Sequence, residues 1–491
     1  MRRRISDFRK LDEIKMKEGE EALAEVINPI QGDWTLDPCF IGLDGGNTQC
    51  RVIGLDKYNL ETDVDDYFII PSEYGMSETS DEEIRPQGNR LYNKMDSTVI
   101  SQAPVGSKVL FNKVRIVRGT KKMDSSFSEG LINHNIPKRD SKTYHLNVVD
   151  SIGYWVMCKH QDSVPKEVKV RLGLSLRPGE VSQKAFLDLF RERILNKFTW
   201  KNAEYGIEMT INIVDVVVKS EPESQQIAQY RIPNEDGSYD EIPDYTLAIM
   251  GGGSNSAVEV LHKDISIKYA SRMFKECGES FIQDLTAEIT RKKHFTPVKE
   301  EVEKSLKTGL VKYGNDTIDI SSSIVATVLK YGEQMSNNIL QQVLNERTRL
   351  ELTQINVITF SGRFLRKCNL QWSEELNTAF PGRFDTVKKA EAGISIADVI
   401  KEWLEPLSPK TEFEVIDSNL IPLGNLLAIT ELYEEEVDNL YPEYDEEVVV
   451  KEVHETIEVA NSSEPVDSEM LITEEIHLKK EDNGIFDEVD I

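Results

Sequence analysis

The chain has 491 residues, 39% of them apolar and 29% charged, with a formal net charge of −28. That length supports two or three domains with real cores. The longest apolar runs, such as INIVDVVV (211–218), are strand-length and far short of a membrane span, and the acidic balance argues against a general grip on nucleic acid.

The basic N-terminus MRRRISDFRK lacks the apolar core of a secretory signal, and DFRKLDEIKMKEGEEALAEVI (7–27) predicts a helix. CFIGLDGGNTQCRVIGLD (39–56) then reads as strand, Gly-Gly-Asn turn and returning strand. Residues 75–145 are weakly patterned apart from the basic strand-like KVLFNKVRIVRGTKK (108–122), an expected surface for subunit contacts through Lys113, Arg115 and Arg118. A helix is predicted over 143–160, a strand over EVKVRLGLSL (167–176), a helix over 181–197 and a buried strand over MTINIVDVVVK (209–219). YTLAIMGGGSNSAVEVL (245–261) is a second hairpin with a glycine turn.

Helices follow over 279–292, over TPVKEEVEKSLKTG with Thr296 as N-cap, Pro297 at the first position and Gly309 past the end, and over 321–349. A strand at INVITFSGR (355–363) and a helix at 394–407 complete the ordered part. Residues 431–491 carry 22 acidic side chains against three lysines, leaving only −9 for the rest of the chain, and predict a disordered tail that solubilises or binds a partner. Five scattered cysteines without CxxC spacing, and seven histidines without ligand pairing, predict reduced thiols, a cytoplasmic location and no metal cage.

Strands alternating with helices give an α/β class. Two glycine-turn hairpins about 200 residues apart suggest two related halves whose turns hold one nucleotide's phosphates from two sides. In the first hairpin, Asp44 ends a strand beside Gly45 and Gly46, Asn47 and Thr48 add polar groups, and Arg51 returns on the next strand. An acid for a hydrated Mg²⁺, donors for oxygens and a cation make a phosphate-binding set.

CFIGLDGGNTQCRVI resembles the first phosphate loop of the actin–hexokinase–heat-shock-chaperone superfamily, and the likeness is greatest to ParM/StbA-type bacterial actin-like proteins. VRLGLSLRPGEV resembles that family's strand-plus-GLP segment, with Ser175 where proline is usual, and SEPESQQIAQY its connecting Pro-Glu-Ser segment. MGGGSNS stands where the second phosphate loop belongs, CGESFIQDLTAEI resembles the Gly-led helix after it, EEVEKSLKTG the ribose–adenine helix, and VITFSGRFL the adenosine loop. Together these motifs span roughly residues 38–405.

The resemblance implies an actin-like fold: a domain at 38–228 and another at 229–430, each on a five-stranded core and facing a nucleotide cleft. The last helix would return to the first domain, with 1–37 an N-terminal extension and 431–491 the acidic tail. It implies ATP (or GTP) with Mg²⁺, held through water by Asp44, with Gly45, Gly46, Asn47, Thr48 and Arg51 on phosphate. Glu223 would orient the lytic water, making it and Asp44 the catalytic pair. Gly251, Gly252, Gly253, Ser254 and Asn255 would form the second loop and Gly278 would lead the next helix. Glu303 and Lys307 would face ribose and base, and Ser361 and Gly362 would pass under adenine.

The resemblance also implies filaments of the chain itself that segregate or position plasmid or phage DNA, with a DNA-bound adaptor, no direct nucleic-acid contact and no membrane. The second loop departs from the family's pattern: Ile249 replaces its first acid, Ser254 its threonine and Ser256 its last acid, while Arg363 follows Gly362 in place of glycine. Loss of an acid near the metal puts efficient hydrolysis in question. A nucleotide-binding scaffold with weak or no hydrolysis therefore stands as the alternative, ahead of a small-molecule kinase on the same fold.

Overall fold

The computed structural model describes residues 15–18, 23, 25–26, 28–46, 49–58, 66–72, 74–77, 95–104, 107–118, 128–130, 136–231, 238–314, 316–345, 348–366 and 394–438. Chain contacts divide the molecule after Tyr441, and all of these residues lie in the first unit, Met1–Tyr441.

Early strands are β1 (Lys15–Glu18), β2 (Thr35–Gly45), β3 (Gln49–Asp56), β4 (Asp66–Pro71), β5 (Tyr74–Ser77), β6 (Asp96–Ser101), β7 (Lys113–Val117) and β8 (Ser128–Gly130). With β9 (Glu167–Leu176), β10 (Lys197–Asn202) and β11 (Ile207–Ser220) they form one sheet, ordered β1-β4-β3-β2-β9-β11-β10-β6-β7-β5-β8. The second sheet is ordered β14-β13-β12-β17-β18, from β12 (Tyr245–Gly251), β13 (Ser256–His262), β14 (Ile265–Phe274), β17 (Val357–Ser361) and β18 (Glu412–Val415). A separate ribbon joins β15 (Leu310–Tyr313) to β16 (Asp316–Asp319).

The two sheets repeat one pattern. In the first, β4-β3-β2 is an antiparallel meander and β9 and β11 continue it in parallel. In the second, β14-β13-β12 is the meander and β17 and β18 are the parallel pair. The duplication suggested by two glycine turns is thus present strand for strand. The first sheet is nonetheless larger than the five strands expected of it: β10-β6-β7-β5-β8 extend one side and β1 the other. The expected N-terminal helix is corrected at Lys15–Glu18, which pairs parallel to β4, and Leu23 and Val26 are buried in the first core.

Helices are α1 (Lys142–Lys159), α2 (Pro178–Val181), α3 (Lys184–Ile194), α4 (Glu221–Arg231), α5 (Gly278–Lys293), α6 (Lys299–Thr308), α7 (Ser321–Asn338), α8 (Ile396–Leu404), α9 (Ile421–Glu431) and α10 (Glu434–Asp438). Helix α6 starts after N-cap Val298, two residues beyond the expected Thr296, while Gly309 ends it in the left-handed conformation as anticipated. The acidic stretch is helical at its start rather than disordered from 431, and Val437 is buried against the third core cluster. Residues 439–491 lie outside the described residues.

Two of the three cations expected on a contact surface, Arg115 and Arg118, are engaged within the fold. Arg118 is fully buried, its Nε donating to Asp150 Oδ2 at 2.8 Å and its Nη2 to Asn147 at 2.7 Å. Arg115 forms a two-point ion pair with Asp96 on the neighbouring strand, its Nε at 2.8 Å from Oδ1. Arg118 thus holds the sheet to α1, and Arg115 ties β7 to β6.

Helix α9 lies on the first sheet, its residues Ile421–Thr430 all buried. The approach is possible because Gly42 and Gly173 are register partners on β2 and β9. A Cβ on Gly42 would stand 2.1 Å from Pro422 O, and one on Gly173 1.9 Å from Asn425 O. Backbone cannot yield as a side-chain tip can. Gly173→Ala is expected to destabilise the protein by about 1–3 kcal/mol or more through overpacking. Gly253→Ala, which meets nothing within 4 Å, should leave the urea midpoint unchanged.

Candidate functional site

The first hairpin pairs β2 and β3 so that Asp44 lies opposite Arg51, one residue from the glycine turn. Arg51 Nη1 stands 3.5 Å from Asp44 Oδ2 and donates to Ser418 O at 3.4 Å, just ahead of α9. Its Nε is buried without a partner. Gly45 is required by close approach, because a Cβ there would lie 2.4 Å from the Tyr144 ring. Gly46 accepts from Ser72 Oγ at 2.7 Å, which anchors the turn to the end of β4. Asn47 and Thr48 lie outside the described residues.

Behind Asp44 sits a group that the motif reading missed. Lys138 is 3% exposed, and its Nζ binds Glu221 Oε1 at 2.7 Å. Its backbone N–H donates to Glu180 Oε1 at 2.7 Å, while Glu180 Oε2 is buried without a partner. Burial raises the Asp44 pKa against the pull of Arg51 and Lys138, and Glu221 raises it further. Burial also raises Glu180, with Lys138 opposing. For Lys138 burial disfavours the charge, yet the Glu221 and Asp44 carboxylates win and its pKa rises. One carboxylate, Glu221, thus pairs with the buried ammonium, and Asp44 and Glu180 feel its charge. Glu221 was within reach of the sequence, two residues before the expected Glu223; Lys138, in an unpatterned loop, was not.

Glu223 itself is tied into the start of α4. Its Oε2 accepts from Ser220 N–H at 3.2 Å, its own N–H donates to Ser220 Oγ at 3.1 Å, and Lys219 Nζ binds Oε1 at 3.0 Å. This reciprocal cap satisfies two helix-end amides. Ala228, near the end of the same segment, is buried in the third core cluster.

In the second hairpin Ile249, at the place of the family's first acid, is fully buried in the second core. Ser256, at the place of the last acid, donates to Glu276 O. Gly252 N–H donates to Asn255 O at 3.1 Å and closes the turn, with Ser254 between them. The carbonyls of Gly252 and Gly253 accept from Gly278 N–H at 3.1 Å and Glu279 N–H at 2.7 Å, so the first amides of α5 are spent on the turn. Gly362 has φ +89°, and a Cβ on it would meet Gly251 O at 2.2 Å. Ser361 donates to Gln225 on α4 at 2.8 Å, and the Gln225 Nε2 is buried without a partner. Gly251, Gly252, Gly253, Gly278, Ser361 and Gly362 thus lie together, with the Gly252 and Gly278 N–H groups already bonded inside the group.

Glu303 is half-buried on α6; the Lys307 and Arg363 side chains lie outside what is described. A groove of about 630 Å³ runs along α5, lined by Glu279, Gln283, Thr286, Thr290 and Arg291 with Thr296 ahead of α6 and Lys299 at its start. It meets the glycine turn only at its Glu279 end. Among the described residues no group of three or more His, Cys, Asp or Glu could hold a metal ion, and no helix is long and apolar enough to cross a membrane.

No protein-family model matches the chain, and no curated protein sequence does. Solved structures match. The actin-like protein Alp7A superposes with a TM-score of 0.53 at 14% identity, over 82% of this chain and 98% of its own. The fold is actin-like. Ta0583, an archaeal actin homolog, superposes at 0.50 and 13% identity over 80% of this chain and 99% of its own. The same homolog in complex with ADP gives 0.50 and 11% identity, over 81% and 99%.

The buried ammonium yields a direct expectation for this actin-like chain. Lys138→Met strands buried carboxylates and should cost about 3–5 kcal/mol in urea unfolding at pH 7. Adding Glu221→Gln to that variant should return part of the loss.

Proposed function

We propose that this chain is a ParM/StbA-type actin-like protein that binds ATP (or GTP) with Mg²⁺ and polymerises into filaments. In this reading the filaments segregate or position plasmid or phage DNA through a DNA-bound adaptor. The supporting observation is the first hairpin: a buried Asp44, facing Arg51 across a glycine turn, with an unpartnered Arg51 Nε beside it. That orphaned donor fits a phosphate oxygen. The ADP complex of the archaeal homolog supports the nucleotide, for a fold shared over most of the chain.

Asp44 would hold the metal through water, with Gly45, Gly46 and Arg51 on phosphate from one side and the Gly251–Asn255 turn on the other. When bound, Mg²⁺ would neutralise phosphate charge. Ile249 leaves the second loop without its carboxylate, and Lys138 adds positive charge behind Asp44. Two residues at the head of α4 can orient water. The resemblance implies Glu223; the geometry favours Glu221, because Glu223 is engaged in the helix cap whereas Glu221 pairs with Lys138, whose charge Asp44 also feels.

Light scattering paired with phosphate release tests the reading. ATP-dependent scattering followed by phosphate release is expected, and Asp44→Asn should lose both. Scattering without release favours the nucleotide-binding scaffold; no nucleotide-dependent scattering at any concentration overturns the proposal. Glu221→Gln should slow release by about 10²- to 10³-fold, as loss of a transition-state group does, while Glu223→Gln acts chiefly on stability. The reverse pattern returns the role to Glu223.

A further inference from the structure

Glu259 is a carboxylate that neither hairpin motif includes. It lies in the middle of β13 and is 1% exposed. Ser220, the last residue of β11 in the other sheet, donates its hydroxyl to Glu259 Oε2. Ser266 and Ser271 on β14 donate to Oε1, the latter at 3.0 Å. The Ser220 oxygen in turn accepts from Glu223 N–H at 3.1 Å. One hydroxyl therefore links a buried acid of the second sheet to the first turn of α4, from which both Glu221 and Glu223 project.

We propose that Glu259 is a positioning residue: by fixing the Ser220 hydroxyl it sets the head of α4, and with it the carboxylate that orients water in the cleft. This rests on the hydrolytic reading above. Three hydroxyls pointing at one carboxylate suit its ionised form, which only accepts. A proton on Glu259 turns one oxygen into a donor, so the serine facing it must accept instead and turn its own hydroxyl proton elsewhere, which alters what the Ser220 oxygen can offer the Glu223 N–H.

Burial holds the Glu259 pKa up at about 7 against the serine hydrogen bonds, and Glu223 raises it further. The charged groups on the elements around it are few. Glu223 heads α4 with Lys219 bound to it at 3.0 Å, Glu180 on α2 faces Lys138, and Arg272 on β14 donates to the carbonyls of Tyr269 and Ser271. Ionisation of Glu259 thus falls within the neutral range, and the head of α4 is expected to be held in the productive arrangement above it.

The test uses the full chain from pH 5.5 to 8.5, with single-turnover phosphate release, nucleotide Kd and hydrogen-exchange protection of the amides of Glu221, Glu223 and Ser224. In the wild type, release and protection should both rise with a midpoint near pH 7. Glu259→Gln, isosteric and unable to ionise, should show no such step. At pH 8 its release should be slower by about 10- to 100-fold, as expected for a displaced catalytic group, with Kd within twofold. Ser220→Ala should slow release similarly. Protection of the Glu221, Glu223 and Ser224 amides that is independent of pH in the wild type, or unaltered by Glu259→Gln, overturns the proposal. A pH step in protection that Glu259→Gln removes, in a protein that releases no phosphate at any pH, upholds the coupling and refutes the hydrolytic reading instead.

Discussion

The floor made by Gly42 and Gly173 is the constraint on which much of the structure depends. Two glycines side by side on parallel central strands let the backbone of α9 rest directly on the sheet. Gly424 does the same against Ser224 O at the head of α4. At this meeting point Asn425 donates to Leu43 O at 2.9 Å and accepts from Ser224 Oγ at 2.6 Å. The strand that ends in Asp44, the helix that carries Glu221, and α9 are therefore fixed to one another by main-chain contact and one buried amide. Ile421, at the start of α9, packs on Met250 and Ala257 of the second hairpin, so the same helix ties both halves together.

The two hairpins use the same topology for different chemistry. In the first, the strand before the turn ends in a buried acid whose charge is met by Arg51 and Lys138. In the second, the residue at the family's acid position is Ile249, packed among Leu247, Val258 and Val260. An apolar side chain at that place needs no counter-charge and adds to the core. In the first half Asp44 and Glu180 lie near the buried Lys138–Glu221 pair. Such a group is stable only while every partner is present, since an uncompensated buried charge costs several kcal/mol.

Much of the fold was legible because strand and helix periods are local properties. EVKVRLGLSL became β9 over the predicted residues, and both glycine-turn hairpins formed as read. The two glycine turns point to two related halves, but the parallel strands that complete each sheet come from far along the chain, where no local period reports the pairing. What escaped was set by distant contacts. Lys15–Glu18 looks helical in isolation but is claimed by the edge of β4. Arg118 looks like surface charge in a basic run, yet Asp150, 32 residues away, pulls it into the core. Lys138 carries no motif, and the Pro-Glu-Ser pattern points to Glu223; Glu221 differs from it in pairing with Lys138, where Glu223 pairs with Lys219 and closes the cap at Ser220.

The bonds between the second glycine turn and α5 have a mechanical consequence. Separating the two breaks the bond from Glu279 and leaves the amide of buried Gly278 unpaired, which costs about 1–3 kcal/mol. Turn and helix therefore translate together, and 16 helical residues make a stiff rod of about 24 Å. A tilt of that rod about its glycine end is magnified with distance along it. A displacement too small to register beside Gly253 becomes a visible sweep at Lys293, carrying the groove along α5 with it.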